Sequence, residues 1–374
     1  MAEFIMVACD LHDKTMMLKI AQGRGLAETV SVRNTRAGRT RLIEQLRQRS
    51  LSAGGAQVIF AYEASGQGFG LYDELTDAGI QCHVLAPTKI ARSPRQAGNK
   101  TDEKDAEAIL QLLRGHVLAG NPLPSVWIPD PQTRDDREVV RARLDVAEKV
   151  AAVKAQIQGL LKRNRLARLD GLGKGWTRLF WNWLRGLTRD GAVGPGARAT
   201  LTSLLRQLKF LEEETQRLDR QLARLAESPR YAAAVEQLAQ LGGVGVLTAL
   251  VFLTEIGNVG RFANRRQISA YLGLVPRSYE SGSQSDRKGH ITRQGPSRVR
   301  RVLCQAAWSR IRQEGADHEA YQRVALKNPQ HKKIAVVATM RRLAVRMWHR
   351  AREAKSPPAL AAEAARRTIP LQRA

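Results

Sequence analysis

What most restricts the fold of this chain is the order of signals in its N-terminal third, where short apolar runs alternate with helical stretches. "FIMVACD" reads as a short buried strand ending at Asp10. "MMLKIAQ" reads as its antiparallel partner across the turn His12 to Lys14, and "ETVSVRN" as a third strand. A helix follows at Arg39 to Arg49. "AQVIFAYEA" is another buried strand, ending near Glu63. Then come a helix around Gly68 to Ala78, the strand "QCHVLAP", and a helix beginning near Thr101. A β-β-β-α-β-α-β-α order predicts a mixed sheet flanked by helices.

Beyond this region the period changes to that of helices. Between Arg134 and Arg165, the residues Val139, Val146, Val150, Val153, Ile157 and Leu160 follow three- and four-residue steps for much of the length. A second segment keeps the same step through Leu201, Leu204, Leu208, Leu211, Thr215, Leu218, Leu222 and Leu225. That is coiled-coil spacing, open to two readings: a helical hairpin within one subunit or an intersubunit contact. Between them, 171–196 is rich in Gly and Trp ("GLGKGWTRLFWNWLRG") and reads as an irregular, partly apolar insertion. From Tyr231 a new run of helical patterns begins, interrupted by a polar stretch, and the residues after Ser356 form an Ala/Arg/Pro-rich tail. The predicted organisation is 1–125 α/β, 126–230 an all-α coiled-coil spacer, 231–352 a mainly α-helical domain, and 353–374 a basic tail.

Charge narrows the partner. The 374 residues carry 61 Lys and Arg against 35 Asp and Glu, a formal net charge of +26. Such an excess calls for a polyanion, and nucleic acid is the usual one. A membrane surface is the competitor, but no stretch approaches the roughly 18 apolar residues of a spanning helix. Phe4 to Cys9 is too short for a signal peptide and runs into Asp10. Cys9, Cys82 and Cys304 are odd in number, far apart and set in apolar runs. They read as reduced core residues of a cytoplasmic, nucleoid-associated protein, without zinc spacing.

Four carboxylates sit where chemistry would need them. Asp10 and Glu63 end buried strands, and Asp102 and Asp105 are three apart at a helix start, sharing one face. Gathered at one sheet edge, they would repel one another unless cations neutralised them. Two Mg2+ ions suit hard oxygen ligands, and a metal pair about 3.5–4 Å apart serves phosphodiester displacement. The plainer reading makes each a turn or cap residue, with Thr101 or Asp102 as the N-cap and the acids near a helix N-terminus.

The order of strands and acids resembles the RuvC-like branch of the RNase H fold. Asp10, "YEASG" at Glu63 and "NKTDEKDA" are similar to the first domain of the DEDD-type insertion-sequence transposases of the one-ten family, the bridge recombinases. "GLVPRSYESGS" followed by "GHITRQGPSRVRRVL" resembles that family's C-terminal transposase domain. Departures are Ala8-Cys9 before the first acid and Ala-Ser-Gly after Glu63. The resemblance implies a metal site at Asp10, Glu63, Asp102 and Asp105, and a serine nucleophile at Ser281. It also implies a homo-oligomer in which acids of one subunit join the serine of another, and a noncoding bridge RNA pairing with donor and target DNA.

Ser281 lies in "YESGSQSDRKGHITRQG", Tyr279 to Gly295, a polar stretch of serines, glycines and cations. Read from its residues alone, it is a solvated basic loop in which Ser281, Ser283 and Ser285 make local turns. Read with the resemblance, Ser281 attacks a DNA phosphodiester to form a phosphoserine ester, with Tyr279 as the minor rival. Arg287, Lys288, Arg293, Arg298 and Arg300 are then candidates for stabilising charge on the phosphoryl oxygens. The turn "GGVG" at Gly242 to Gly245 either points backbone N–H groups at a phosphate, through Gly243 and Gly245, or is a tight core turn. Arg261, Arg265 and Arg266 fit a DNA-backbone track. The segment from Lys332 to Arg350 has an apolar and a cationic face, open to either nucleic-acid binding or solvation. The function the resemblance implies for these residues is a Mg2+-assisted DNA transposase that cuts and rejoins strands through a phosphoserine intermediate. The rivals are a RuvC-like structure-specific nuclease without a covalent intermediate and a non-enzymatic nucleic-acid-binding protein.

Overall fold

The structure, a computed structural model, describes residues 4–90, 101–173, 175–189, 193–281 and 284–354, and for 278–281 and 284–288 the backbone only. Most of the basic tail, Ser283 and the side chains of Ser281, Arg287 and Lys288 therefore lie outside the described residues. The chain divides into two compact units, Met1–Ile128 and Pro129–Ala374.

In the first unit, β1 (Phe4–Leu11), β2 (Thr15–Gln22), β3 (Glu28–Arg33), β4 (Gln57–Glu63) and β5 (Gln81–Leu85) form one sheet in the order β3-β2-β1-β4-β5. The β1–β2 and β2–β3 pairs are antiparallel; β1–β4 and β4–β5 are parallel. This is the mixed sheet that the order of signals predicts. Alternation of side chains along each strand builds two cores. Val7, Cys9, Phe60 and Tyr62 face Leu42 and Leu46 of α1 (Arg36–Ser52) and Leu71 and Leu75 of α2 (Gly70–Asp77). Met6, Ala8, Ile59 and Ala61 face Ile109, Leu110 and Leu113 of α3 (Asp102–Ala119). Each buried Val, Leu, Ile, Phe or Met side chain among these contributes about 1.5–3 kcal/mol. A one-residue slip of β1 or β4 would exchange the two sets, so the register is firmly specified. Cys9 is a buried core residue whose thiol burial pushes well above its ordinary range.

The second unit opens with α4 (Pro131–Arg163), which runs antiparallel to α6 (Pro195–Glu227). Val153, Ile157 and Leu161 pack with Leu201, Leu204 and Leu208. Arg143 donates to Asp219 at 2.7 Å, and Lys154 lies 3.4 Å from Glu212. The two helices thus form a hairpin within one chain. The buried seam of α4 passes through Val140 and Leu144 rather than Val139 and Val146. The reason is that this end of α4 also faces α8 (Val246–Ile256): Arg137 donates to the Thr254 carbonyl at 2.6 Å and Arg141 to the Glu255 carboxylate at 2.8 Å.

Within 171–196, expected to be irregular, α5 (Arg178–Leu187) is capped by Thr177, whose hydroxyl accepts from the Phe180 N–H. Phe180 and Leu184 are buried against the distal end of the hairpin, and the Arg168 guanidinium sits 3.6 Å over the Phe180 ring. The apolar side is regular, with Phe180, Leu184 and Leu187 buried at four- and three-residue steps, but the helix is only 10 residues long and glycines surround it, so the period spans too few turns to stand out.

No break in the core falls near residue 230. Val140, Leu144, Leu222 and Ala226 share one cluster with Leu250, Phe252, Leu303, Met340 and Trp348. These come from α8, α10 (Ser297–Ile311) and α12 (Lys333–Glu353), with α7 (Ala232–Ala239), α9 (Arg265–Tyr271) and α11 (Ala316–Lys327) completing the bundle. The polar joint is dense. Arg230 donates to Asp130 at 2.7 Å, and the buried Tyr231 hydroxyl donates to buried Asp136 at 2.7 Å. The serine-bearing stretch is a hairpin, not a loop: β6 (Pro276–Ser281) pairs antiparallel with β7 (Gln284–Ile291). Its residues are polar at both alternations, so no apolar period betrayed the strands. No described helix is long and apolar enough to cross a membrane.

Candidate active site

Alternation along the strands decides where the acids point. Asp10 follows Met6 and Ala8 on the face of β1 covered by α3, and Glu63 follows Ile59 and Ala61 on the same face of β4. Cys9 pairs with Tyr62 in the parallel ladder, so Asp10 and Glu63 come next on adjacent strand ends. On α3, the buried stripe Leu113, Ile109 and Ala106 leads back by helical steps to Asp105 and Asp102 in the first turn. Thr101, not Asp102, is the N-cap: its hydroxyl accepts from the Lys104 N–H. Asp102 is therefore released from capping, at the positive end of the helix dipole. Lys19, opposite Ala8 on β2, reaches Glu103 at 2.6 Å and Thr29 at 2.7 Å, tying this turn of α3 to the sheet.

The structure brings together Asp10, Asp102 and a residue absent from the sequence-based set, His12. His12 Nε2 lies 3.0 Å from Asp10 Oδ2 and 3.3 Å from Asp102 Oδ1. One ligand atom from each of the three lies within 4.8 Å of the others. The turn that holds His12 is fixed by Asn34, which donates to the His12 carbonyl at 2.8 Å and to Gln67 at 3.0 Å. The available signal was position: a histidine two residues past a strand-end acid, and imidazole is a common metal ligand. Among the described residues, that cluster includes neither Glu63 nor Asp105. Both are half-buried; the Asp105 charge is felt at Asp10, and Glu63 is tied to the cluster only by its place on the strand next to β1.

Electrostatics follow from this crowding. Burial lifts the Asp10 carboxyl, His12 pulls it down, and Asp105 and Asp102 lift it again, leaving it above the ordinary value. For His12, burial acts to lower the imidazole, but Asp10 and Asp102 outweigh it and raise it. An Asp10 side chain only 14% exposed, facing further carboxylates, is an environment that a cation relieves. Oxygen-rich donors with one imidazole fit a divalent ion.

The basic candidates separate into two kinds. Gly243 has φ +76, and a Cβ there would lie 2.9 Å from the Ala306 carbonyl, so its glycine serves close packing on α10. Gly245 is the N-cap of α8 with open space at its Cα. Arg261 is packed, its guanidinium 4.2 Å over Phe262 and 4.4 Å over Tyr271. Arg300 donates through Nη1 to the carbonyls of Leu272, Gln294 and Gly295, clamping the base of the hairpin. Arg298 reaches Asp145 at 3.2 Å. These three arginines are engaged with the protein, because carbonyls, carboxylates and rings within reach satisfy them. Arg265 and Arg266 are exposed in the first turn of α9, and Arg293 is exposed with φ +55, a left-handed conformation uncommon outside glycine.

Comparisons with known proteins meet this geometry at both ends of the chain. Residues 7–164, which contain Asp10, Glu63, Asp102 and Asp105, match the IS110-type DEDD transposase family. Residues 235–322, which contain Ser281, match the family described as Transposase IS116/IS110/IS902. "Putative transposase y4rJ" of Sinorhizobium fredii is 30% identical over 317 residues, covering 78% of this chain and 76% of that protein. "Putative transposase y4qE" of the same organism is 32% identical over 273 residues, covering 73% of this chain but only 62% of that longer relative. The transposase for insertion sequence element IS1533 of Leptospira borgpetersenii is 26% identical over 255 residues, covering 67% and 70%. With an acid pair on an α3-covered sheet edge, two matching segments and a relative alike over most of both lengths, the chain belongs to the IS110/IS116 family of insertion-sequence transposases.

Proposed function

We propose that the protein cuts and rejoins DNA strands at a centre formed by Asp10, Glu63, Asp102 and Asp105, with Ser281 as nucleophile. The observation that carries this reading is the meeting of Asp10, His12 and Asp102 within 4.8 Å on the sheet face under α3. A bound Mg2+ pair would supply charge stabilisation at the phosphoryl oxygens. Asp10, Glu63, Asp102 and Asp105 would hold it; His12 lies between the Asp10 and Asp102 carboxylates and would give way or join as a ligand.

The chemistry assigned to Ser281 balances simply. Its Oγ forms a bond to phosphorus as a phosphorus–oxygen bond to the sugar breaks, the serine proton leaves to a base, and the departing sugar oxygen takes one up. The ester conserves the bond for rejoining. Ser281 ends β6, and Arg300 fixes the hairpin base through three carbonyls, which supports a held rather than a wandering serine. A noncoding RNA pairing with donor and target DNA would select the sites, and the +26 charge suits two polyanions. A homo-oligomer is part of the same reading.

The test is covalent trapping. Wild type incubated with labelled-strand DNA, then denatured, should carry label on the protein; Ser281→Ala should bind DNA but carry none. Ser283→Ala and Ser285→Ala should keep the adduct. An adduct that survives Ser281→Ala, or disappears only in Tyr279→Phe, moves the nucleophile. Cleavage by wild type with no adduct hands the reaction to water.

A further inference from the structure

We propose that α12 carries a phosphodiester-binding cleft, lined by Arg346, His349 and Arg350 and ordered by the buried carboxylate of Asp317, and that duplex DNA occupies it. The inference rests on DNA being the substrate, but on neither the acidic centre nor Ser281.

Asp317, 7% exposed, lies in the first turn of α11 and is met by three arginines. Arg310 pairs with it from α10 and also donates to the Gly242 carbonyl at 2.8 Å. Arg346 Nη1 donates to both carboxylate oxygens, at 3.0 and 3.2 Å, and Arg342 lies at 3.6 Å. A carboxylate offers about four acceptor sites, whereas each guanidinium carries five donors. One arginine would satisfy it; three leave a surplus of donors and two positive charges beyond Asp317, only one of which the Glu353 carboxylate that also lines the cleft could offset. Arg342 and Arg346, 42% and 39% exposed, present that surplus to solvent.

Arg342, Arg346 and Arg350 stand at four-residue steps, one stripe of α12, beside the buried stripe of Leu343 and Met347. Like charges at this spacing destabilise a helix, a cost that Asp317 offsets at Arg342 and Arg346 but not at Arg350. Next to it is a cleft of about 590 Å³ lined by Leu241, Arg346, His349, Arg350 and Glu353. Arg350 is steered by Gln237, which accepts from it at 3.4 Å. Guanidiniums held by protein acceptors at regular steps of about 6 Å along a helix suit the regular phosphates of a duplex. A flexible row of lysines would give charge without this order.

The experiment is fluorescence anisotropy of the full chain with a labelled random-sequence duplex, and with a structured RNA of equal length, across a salt series. The double variant Arg346→Gln/Arg350→Gln should bind duplex roughly tenfold more weakly and lower the slope of log affinity against log salt by about 1–2, with the fold retained because Arg310 and Arg342 still meet Asp317. Asp317→Asn is the sharper arm: it adds one positive charge, yet should weaken binding because the guanidiniums lose their anchor. If Asp317→Asn melts early, the double variant, which leaves Arg310 and Arg342 on the Asp317 carboxylate, still decides. Wild-type affinity and slope in the double variant would overturn the cleft while leaving the transposase reading standing. Tighter binding by a folded Asp317→Asn, or a loss confined to RNA, would also overturn it. Wild type with no affinity for duplex would instead remove DNA as the substrate.

Discussion

Replacing Asp10 with Asn separates the metal reading from a merely structural one. The carboxylates of Asp10 and Asp102 offer oxygens within 4.8 Å of each other. At that distance two unit charges repel by about 1 kcal/mol at the dielectric of water and about 3.5 kcal/mol at an effective value near 20. Asp102 is 54% exposed, so the lower part of this range applies. The substitution removes that repulsion and also the His12 ion pair at 3.0 Å, a part-exposed contact of similar size and opposite sign. The two effects offset, and without metal the melting of the N-terminal unit should hardly move. Added Mg2+ should then distinguish the proteins. At about one hundred times its dissociation constant, an ion stabilises the folded state by about 2.7 kcal/mol, roughly 10 °C for a unit of this size. The assay is calorimetric or fluorescence melting of the full chain with and without Mg2+, following the transition that responds to the ion. Wild type should show the rise, and Asp10→Asn most of its loss. An equal rise in both proteins would refute Asp10 as a ligand. A fall of many degrees in Asp10→Asn without metal would show that the carboxylate serves the fold.

The remaining predictions concern the second unit. Gly295 has φ +74, and a Cβ there would sit 1.9 Å from the Tyr271 carbonyl oxygen. Gly295→Ala should therefore destabilise by at least about 2 kcal/mol and lower adduct yield, measured by urea unfolding beside covalent trapping. Tyr231→Phe leaves the buried Asp136 carboxylate without one donor; the expected loss is about 1.5–3 kcal/mol in urea unfolding, with wild-type DNA affinity. An unchanged urea midpoint in either variant would show that the contact is not made as described.

The sequence by itself determined the elements whose information is local and periodic. Buried runs such as "FIMVACD" and "AQVIFAYEA" are too short for buried helices and read as strands covered on both faces, and their order gives the mixed sheet. Alternation of period two then commits Asp10 and Glu63 to the face that α3 covers, and the i, i+3 spacing commits Asp102 and Asp105 to one side of that helix. What only the tertiary structure decided depends on partners distant in the chain. His12 became part of the site because the β1–β2 turn brings its ring beneath a helix that starts some ninety residues later. Arg261 and Arg300, indistinguishable in composition from Arg265 and Arg293, went to rings and carbonyls because those acceptors stand within reach once the helices pack. The hairpin around Ser281 and the helix in the Trp-rich insertion were hidden for the same reason. The hairpin shows no one-sided apolar period and the helix only a short one, Phe180, Leu184 and Leu187; each is held by long-range contacts: the clamp of Arg300 in one case, the end of the α4–α6 hairpin in the other. A periodic pattern records which face a residue turns to; it holds no record of what arrives there.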